Sequence, residues 1–257
     1  MNVNVAIMII VTMLSMLLGL PANDNCAMQD NTSLIIADTT IAPTESFFAA
    51  AQSFLSEYVV SGKVNYASIK SDPGELNDLY SMIGTTDLST ADNNTKTAFY
   101  LNAYNLIVIH SVLEKYPIAS PLDVAGFFDK KKHVVAGQQM TLNELEEKKL
   151  RPDPRVHFAL VCAAKGCPKL QSQAYLPATV QKQLVDATTR AVNDPQFLRV
   201  DYTNKTVQLS KIFEWYADDF NKTSGSVIQF INTYRSAKIS DSYTLSYYEY
   251  DWSLNKL

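Results

Sequence analysis

One histidine and two cysteines of this chain lie within eleven residues of one another, a spacing that could support thiol chemistry. A thiol beside an imidazole is the pair of groups that papain-like hydrolases and transglutaminases use, because the imidazole takes the thiol proton and the thiolate attacks an amide or ester. We identify Cys167 as the candidate nucleophile, His157 as its base, and Glu146 as the carboxylate that orients the imidazole. Lys165 and free backbone N–H groups around Gly166 are expected to lower the pKa of the thiol.

The same residues fit two other chemistries. Cys162 and Cys167 can close a short loop as a structural disulfide, which oxidising compartments favour. In a strand, His157 and Cys162 would point to opposite faces, with Cys162 in the core. A zinc site built from these three residues fits tetrahedral geometry poorly, because of the four-residue gaps and the opposed faces. We therefore expect neither a metal nor another cofactor.

A non-catalytic binding domain is the third alternative. It keeps the Cys162–Cys167 disulfide and holds a small molecule, a peptide or a glycan on an aromatic surface. The aromatic residues that would form this surface are Trp215, Tyr216, Tyr247, Tyr248 and Trp252. Aromatic side chains at helical spacing also belong to cores. The sequence alone therefore leaves open whether the protein is an enzyme.

A second set of polar residues lies on an otherwise apolar segment, residues 98–113. A helix that is apolar nearly all round is buried, and this one carries Asn102, Asn105 and His110 along one seam. Buried amides without partners would each cost about 1 to 3 kcal/mol. The seam is therefore either a structural hydrogen-bond network or a wall that faces a ligand.

Composition excludes some classes of partner. The chain has 257 residues, 47% of them hydrophobic and 19% charged, with a net charge of −4. Its basic cluster, residues 130–132, is countered by nearby acidic side chains. Nucleic acid is therefore not an expected partner.

The N-terminus has the pattern of a cleaved export signal. Residues 5–20 are sixteen nearly all apolar residues, followed by Pro21, Ala22 and a polar stretch. Sixteen residues make about 24 Å of helix, short of a bilayer core of roughly 30 Å. We predict a signal peptide at 1–22, a polar segment at 23–42 and one domain at 43–257, secreted or extracytoplasmic and without a stable membrane span after cleavage. The alternative for the apolar run is an uncleaved short membrane anchor. Glycan acceptor sequences begin at Asn31, Asn93, Asn204 and Asn221.

The periodicity of the remaining chain predicts an α+β fold, a single mainly helical domain with a small sheet of hairpins and short strands around a central buried helix. The predicted helices are 44–58, 72–84, 89–116, 142–150, 178–192 and 210–220. The predicted hairpins are 133–136 with 139–141, and 197–202 with 206–209. A strand is predicted at 156–163 and an extended segment at 243–252.

An ordered series of sequence blocks resembles the DUF547 family. The blocks are FYLNAYNLIVIHSVL, VAGFFD, LNELEEKKLR, PRVHFALVCAAKGCPKL, LSKIFEWYADDF and YDWSLN. The resemblance extends over residues 49–255, with Tyr100 in place of the usual Trp and Val161 in place of a common Asn. It implies a fold and a set of characteristic positions, found in exported bacterial proteins and in plant proteins behind coiled-coil regions. It implies no substrate, because the family is named for having no assigned function.

Overall fold

The computed structural model describes residues 43–257, which lie within one compact unit. The predicted signal peptide (1–22), the polar segment (23–42) and the acceptor sequence at Asn31 lie outside the described residues. Helices outnumber strands, and the strands form small separate sheets, so the predicted α+β class is confirmed. Among residues 43–257 no helix combines the length and the apolar character needed to cross a bilayer.

The helical elements follow the predicted periodicity closely. The α-helices are α1 (Pro43–Tyr58), α2 (Tyr66–Ser71), α3 (Gly74–Thr85), α4 (Asn93–Lys115), α5 (Leu142–Leu145), α6 (Val180–Asn193), α7 (Ile212–Trp215), α8 (Ala217–Ser224) and α9 (Val227–Thr233). Short 3₁₀ turns cover Pro121–Asp123 and Pro154–Phe158, and a π-helical turn covers Glu146–Leu150.

The strands are β1 (Val59–Val60), β2 (Lys63–Val64), β3 (His133–Val135), β4 (Gln138–Met140), β5 (Leu198–Asp201), β6 (Thr206–Leu209) and β7 (Thr244–Tyr247). Antiparallel pairs join β1 to β2, β3 to β4 and β5 to β6. The tail strand β7 adds to β6 in parallel, with Val207 opposite Leu245. Both predicted hairpins are therefore present, and the extended tail is an edge strand of the second.

Three predicted elements differ in detail. The central helix starts after Asp92, whose carboxylate accepts the Thr95 N–H at 2.7 Å, and not at Ser89, which bonds to Asp87 instead. The segment predicted as one helix from 210 to 220 is broken at Tyr216 into α7 and α8. The predicted strand at 156–163 does not form, and α2 and α9 were not predicted.

Two hydrophobic clusters make up the interior. The first surrounds α4 and is built from α1, α3, α4 and the start of α6. The second lies under the β5–β6–β7 sheet, and its buried aromatic residues come from α7, α8 and α9 and from Phe158, Phe197 and Tyr250. Phe158 belongs to the second cluster, whereas Ala159 and Val161 belong to the first. The segment that contains the histidine and the cysteines therefore lies at the junction of the two clusters.

Asn102 and Asn105 of α4 are buried and bind backbone groups. Asn105 donates from Nδ2 to the Ala159 carbonyl at 3.0 Å and accepts the Val161 N–H at 2.9 Å. Asn102 makes the same two-way contact with Tyr175, at 2.8 Å and 3.0 Å. These bonds support the structural alternative for the seam, because the amide atoms are used by the protein itself.

His110 lies apart from these asparagines, in a second polar cluster. Its ring stacks on Tyr80, with the ring centroids 4.0 Å apart. The Tyr80 hydroxyl contacts His133 Nδ1 at 2.8 Å, while His110 Nδ1 and His133 Nε2 are buried without a hydrogen-bond partner among the described residues. Burial, and then the charge of Lys131, lower the pKa of His133 to about 4.

We predict that Asn105→Leu lowers the free energy of unfolding by about 2 to 4 kcal/mol, because it leaves the buried Ala159 carbonyl and Val161 N–H unpaired. Urea denaturation measures this loss. Asn77→Leu is the matched control, since Asn77 is an exposed position of α3, and it should change stability by less than about 0.5 kcal/mol. Equal effects of the two changes would contradict the structural role of Asn105.

The lowered pKa of His133 predicts acid sensitivity. The unfolded chain takes up the proton near pH 6.5, whereas the folded protein does so only near pH 4. Stability is therefore complete above pH 6.5 and falls as the pH drops, by about 2 kcal/mol between pH 7.5 and pH 5. His133→Gln should remove most of this drop in urea denaturation at the two pH values. A variant that keeps the full wild-type dependence would show that another group causes it.

Candidate functional site

The segment that contains His157 is a 3₁₀ turn and not a strand. Pro154 presets the first residue of the turn, and the Asp153 carboxylate accepts the Arg155 N–H at 3.0 Å. The turn ends at Phe158, and the chain then continues without regular structure through both cysteines. The expectation that His157 and Cys162 point to opposite faces of a strand is therefore wrong, and both residues line one cavity.

His157 lies between two carboxylates. Its Nε2 is 2.9 Å from Asp219 Oδ2, and its Nδ1 is 3.5 Å from Glu146 Oε1. Arg151 Nε donates to the same Asp219 oxygen at 2.7 Å. Burial acts to raise the pKa of Asp219, but the hydrogen bonds from Arg151 and His157 outweigh it, so this pKa lies below its ordinary value. Asp219 is therefore an ionised acceptor that fixes the orientation of the imidazole.

Local structure explains how Glu146 approaches the imidazole while Arg151 reaches the Asp219 carboxylate that binds it. A capping box at Thr141 starts α5, and the helix then widens into the π-helical turn Glu146–Leu150. In this turn the Arg151 N–H bonds to the Glu146 carbonyl at 2.8 Å. A wide turn of this kind places residues five apart on one side of the helix, and such turns are frequent at functional sites.

The imidazole is also fixed by aromatic packing. Its ring stacks on Tyr216 with a centroid distance of 3.7 Å and meets the Phe220 ring edge-on. Tyr216 occupies the break between α7 and α8. Burial and the neighbouring Glu146 charge raise the pKa of Tyr216, so its hydroxyl keeps its proton. His157 is only 3% exposed and therefore has little freedom to turn.

The two cysteines lie at disulfide distance from each other. Their Cα atoms are 6.5 Å apart, within the range that disulfides span. Cys167 Sγ accepts hydrogen bonds from the Cys162 N–H and the Tyr250 hydroxyl, each at 3.0 Å. Both cysteines are partly exposed and pack against the second hydrophobic cluster, so Cys162 lies at the edge of the core.

The C-terminal tail holds the cysteine loop in place. The Lys165 N–H donates to the Ser253 carbonyl and the Gly166 N–H to the Asp251 carbonyl, both at 2.8 Å. In return the Asn255 N–H donates to the Ala163 carbonyl at 2.9 Å. The N–H groups around Gly166 are therefore not free to stabilise a thiolate, as the sequence had suggested. The donors to the Cys167 sulfur are the Cys162 N–H and Tyr250 instead.

A cavity of about 370 Å³ opens beside these groups. Its polar lining comes from Asn143, Glu146, His157 and the two cysteines. Its aromatic wall includes Trp215, Tyr250 and Trp252, whose rings lie 4.9 to 5.9 Å from one another. An aromatic cavity with a few converging polar groups is typical of a small-molecule site.

A larger cavity of about 920 Å³ lies on the other side of the cysteine loop. Cys167 lines both cavities, whereas Cys162 lines only the smaller one. Tyr248 belongs to this larger cavity and not to the aromatic wall, and Tyr247 lines neither.

The structure thus brings together Cys162, Cys167, His157 and Glu146 but leaves Asn102, Asn105 and His110 away from the cavity. In the part of the chain that the structure describes, no hydrogen bond joins His157 to either sulfur. Among residues 43–257 no group of three or more His, Cys, Asp or Glu side chains is arranged so that it could hold a metal ion.

Sequence reasoning missed Asp219, Arg151 and Tyr250. Asp219 is 62 residues from His157 along the chain, and Tyr250 is 83 residues from Cys167. The signal that could have found Asp219 is an acidic pair, Asp218 and Asp219, placed directly after an aromatic helix start.

Comparison with known proteins finds a family similarity over part of the chain. Residues 88–191 match the family model DUF547, described as a protein of unknown function. This part of the chain is similar to the DUF547 family. The match includes α4, Glu146, His157 and both cysteines, but Asp219 and the aromatic wall lie beyond it. No curated protein and no solved structure matches the chain. The similarity therefore covers the segment with the histidine and the cysteines, and it brings no activity.

Gly166 allows the cysteine loop to lie against Tyr250. A Cβ at Gly166 would lie 2.9 Å from two carbons of the Tyr250 ring, and that ring is packed against Trp215 and Trp252. We predict that Gly166→Ala lowers the free energy of unfolding by about 1 to 3 kcal/mol, measured by urea denaturation.

The control for this prediction is Gly74→Ala in α3, where the nearest atom would be at an ordinary 3.5 Å. It should leave stability unchanged or raise it by up to about 1 kcal/mol. Equal stability of the two variants would contradict the close packing at Gly166.

Proposed function

We propose that this domain is a thiol-dependent hydrolase or transferase that acts on an amide or ester bond. Cys167 is the nucleophile, His157 the general base, and Asp219 the carboxylate that orients the imidazole. The observation that carries the proposal is the 2.9 Å contact between Asp219 and His157 Nε2. This contact leaves Nδ1 on the side of Glu146, which lines the cavity together with Cys167, whereas Asp219 does not line it.

The proposed reaction follows from these positions. The Cys167 proton passes to His157 Nδ1, and the thiolate attacks the carbonyl carbon of a substrate held against the aromatic wall. The leaving amine or alcohol then takes the proton from the imidazolium, and water or an acceptor releases the acyl group from sulfur. Glu146, at 3.5 Å from Nδ1, stabilises the imidazolium instead of orienting the neutral ring. Asp219 takes the orienting role that the sequence had suggested for Glu146.

The thiolate has two donors available. The Tyr250 hydroxyl and the Cys162 N–H both point at the Cys167 sulfur. Burial raises the pKa of Tyr250, so this hydroxyl remains a donor when the thiol ionises. Hydrogen bonds to the charged form favour it and lower the pKa of the thiol.

A second candidate is a non-catalytic domain that binds a small molecule, a peptide or a glycan. The disulfide distance between Cys162 and Cys167 favours it, because a cysteine in a permanent disulfide cannot act as a nucleophile. The 47% exposed ring of Trp215 would then offer a flat surface at the mouth of the cavity.

Export and glycosylation belong to the proposal. An apolar run at residues 5–20 followed by Pro21 supports a secreted location. Three candidate glycan acceptors within residues 43–257, Asn93, Asn204 and Asn221, are exposed.

The proposal predicts turnover of a p-nitrophenyl ester by protein treated with a mild reductant. Cys167→Ala should abolish this turnover, and Asp219→Asn should lower kcat by at least about 100-fold, because the imidazole loses its orientation. Cys162→Ala is the control: it removes the partner sulfur, leaves Cys167 free, and should keep activity without reductant.

Folding of each variant is checked by urea denaturation. Turnover that persists in the Cys167→Ala variant would contradict the assignment of Cys167 as the nucleophile. The binding alternative would be preferred if native protein bound ligands at the aromatic wall while Cys167 stayed joined to Cys162 under all conditions.

A further inference from the structure

We infer that Cys162 and Cys167 form a redox-active pair that exchanges electrons with a low-molecular-weight thiol. This activity goes beyond the proposed hydrolase, since it needs neither an acyl substrate nor the imidazole. It rests on the position of the pair, on unequal hydrogen bonding of the two sulfurs, and on a loop that is held independently of the disulfide.

The pair lies in a cavity wall instead of a core. Both cysteines are partly exposed, and Cys167 borders the smaller and the larger cavity. A disulfide whose only function is structural does not need to be accessible from a cavity. An exposed disulfide between two cavities can be reached by a thiol, and access is a requirement for exchange.

The two sulfurs are not equivalent. Cys167 Sγ accepts a backbone N–H and the Tyr250 hydroxyl at 3.0 Å, whereas Cys162 Sγ has only the same hydroxyl at a longer 3.3 Å. Cys167 is therefore the better stabilised thiolate. Since the more stable thiolate leaves faster, an incoming thiol should attack Cys162 and release Cys167.

The loop does not depend on the disulfide for its conformation. Backbone hydrogen bonds to the tail fix it at Ala163, Lys165 and Gly166, and Asn105 fixes its start at Val161. The cysteines therefore remain near each other after reduction. Closure is then reversible, because the chain needs no rearrangement to bring the sulfurs together again.

The exchange consumes two thiols per disulfide. The first thiolate bonds to Cys162 Sγ, the bond between the two protein sulfurs breaks, and its electron pair leaves with Cys167. The second thiolate attacks the small-molecule sulfur of this mixed disulfide and releases Cys162. The products are one oxidised small-molecule disulfide and two reduced cysteines, and the protons of the two thiols pass to solvent or to the protein thiolates.

The test uses the native full chain in buffers of reduced and oxidised glutathione. Acid quenching and maleimide alkylation, followed by mass spectrometry, give the redox state of each cysteine. We expect the pair to be reduced and reoxidised reversibly without urea, and an early quench to find glutathione on Cys162. A pair that is reduced only after unfolding, or that never forms in native protein, would overturn the inference. Glutathione on Cys167 alone would overturn the assigned direction of attack.

Two tyrosine variants, at Tyr250 and at Tyr248, test whether the hydroxyl beside Cys167 affects the exchange. Tyr250→Phe keeps the ring but removes the donor to Cys167, so we expect reduction by glutathione to slow by about 3- to 10-fold. Tyr248→Phe removes a hydroxyl from the larger cavity that bonds only to the Phe197 carbonyl, and it should leave the rate unchanged. Equal rates in the two variants would contradict the role of Tyr250. Because the readout is redox state, a failure of ester turnover leaves this result intact.

Discussion

The segment from Ala159 to Cys167 passes through the interior without regular secondary structure, and its backbone polar groups must find partners outside it. An unpaired buried amide or carbonyl is costly, so each partner becomes a requirement of the fold. Asn105 of α4 takes the first of these groups, and the tail residues Asp251, Ser253 and Asn255 take the later ones. The site exists because a helix side chain and the C-terminus converge on the same irregular segment.

The charges of the site are balanced in a similar way. A partly buried carboxylate needs partners, and Asp219 has both Arg151 and His157. The imidazole, in turn, is held by Asp219 on one side and Tyr216 on its face. The position of His157 is therefore set by two separate parts of the chain, the α7–α8 region and the π-helical turn that carries Glu146, which is the kind of preorganisation that acid–base catalysis requires. The same constraint keeps both ring nitrogens directed at carboxylates in the structure.

The proposed acyl chemistry and the proposed thiol exchange use one sulfur in different states. Acyl transfer needs Cys167 as a free thiolate, whereas exchange passes through its disulfide with Cys162. The donors to Cys167 serve both, because the Cys162 N–H and the Tyr250 hydroxyl stabilise negative charge on that sulfur. An environment that makes a good nucleophile also makes a good leaving group, so the two activities are compatible in one site.

The sequence by itself determined the α+β class, both hairpins and the helices with clear apolar periodicity, because these depend on local spacing and burial. It also identified α4 as a buried helix whose asparagines must have partners, and it located the histidine, the cysteines and Glu146. Only the tertiary structure decided that the segment after Pro154 is a turn and not a strand. In a sequence, an apolar run has the same pattern whether its backbone hydrogen bonds are made by a neighbouring strand or by a side chain of a helix. The tertiary structure also decided that Asp219 and Tyr250 belong to the site. Both lie far along the chain from the histidine and the cysteine that they contact, and they reach the site only when the two hydrophobic clusters pack together.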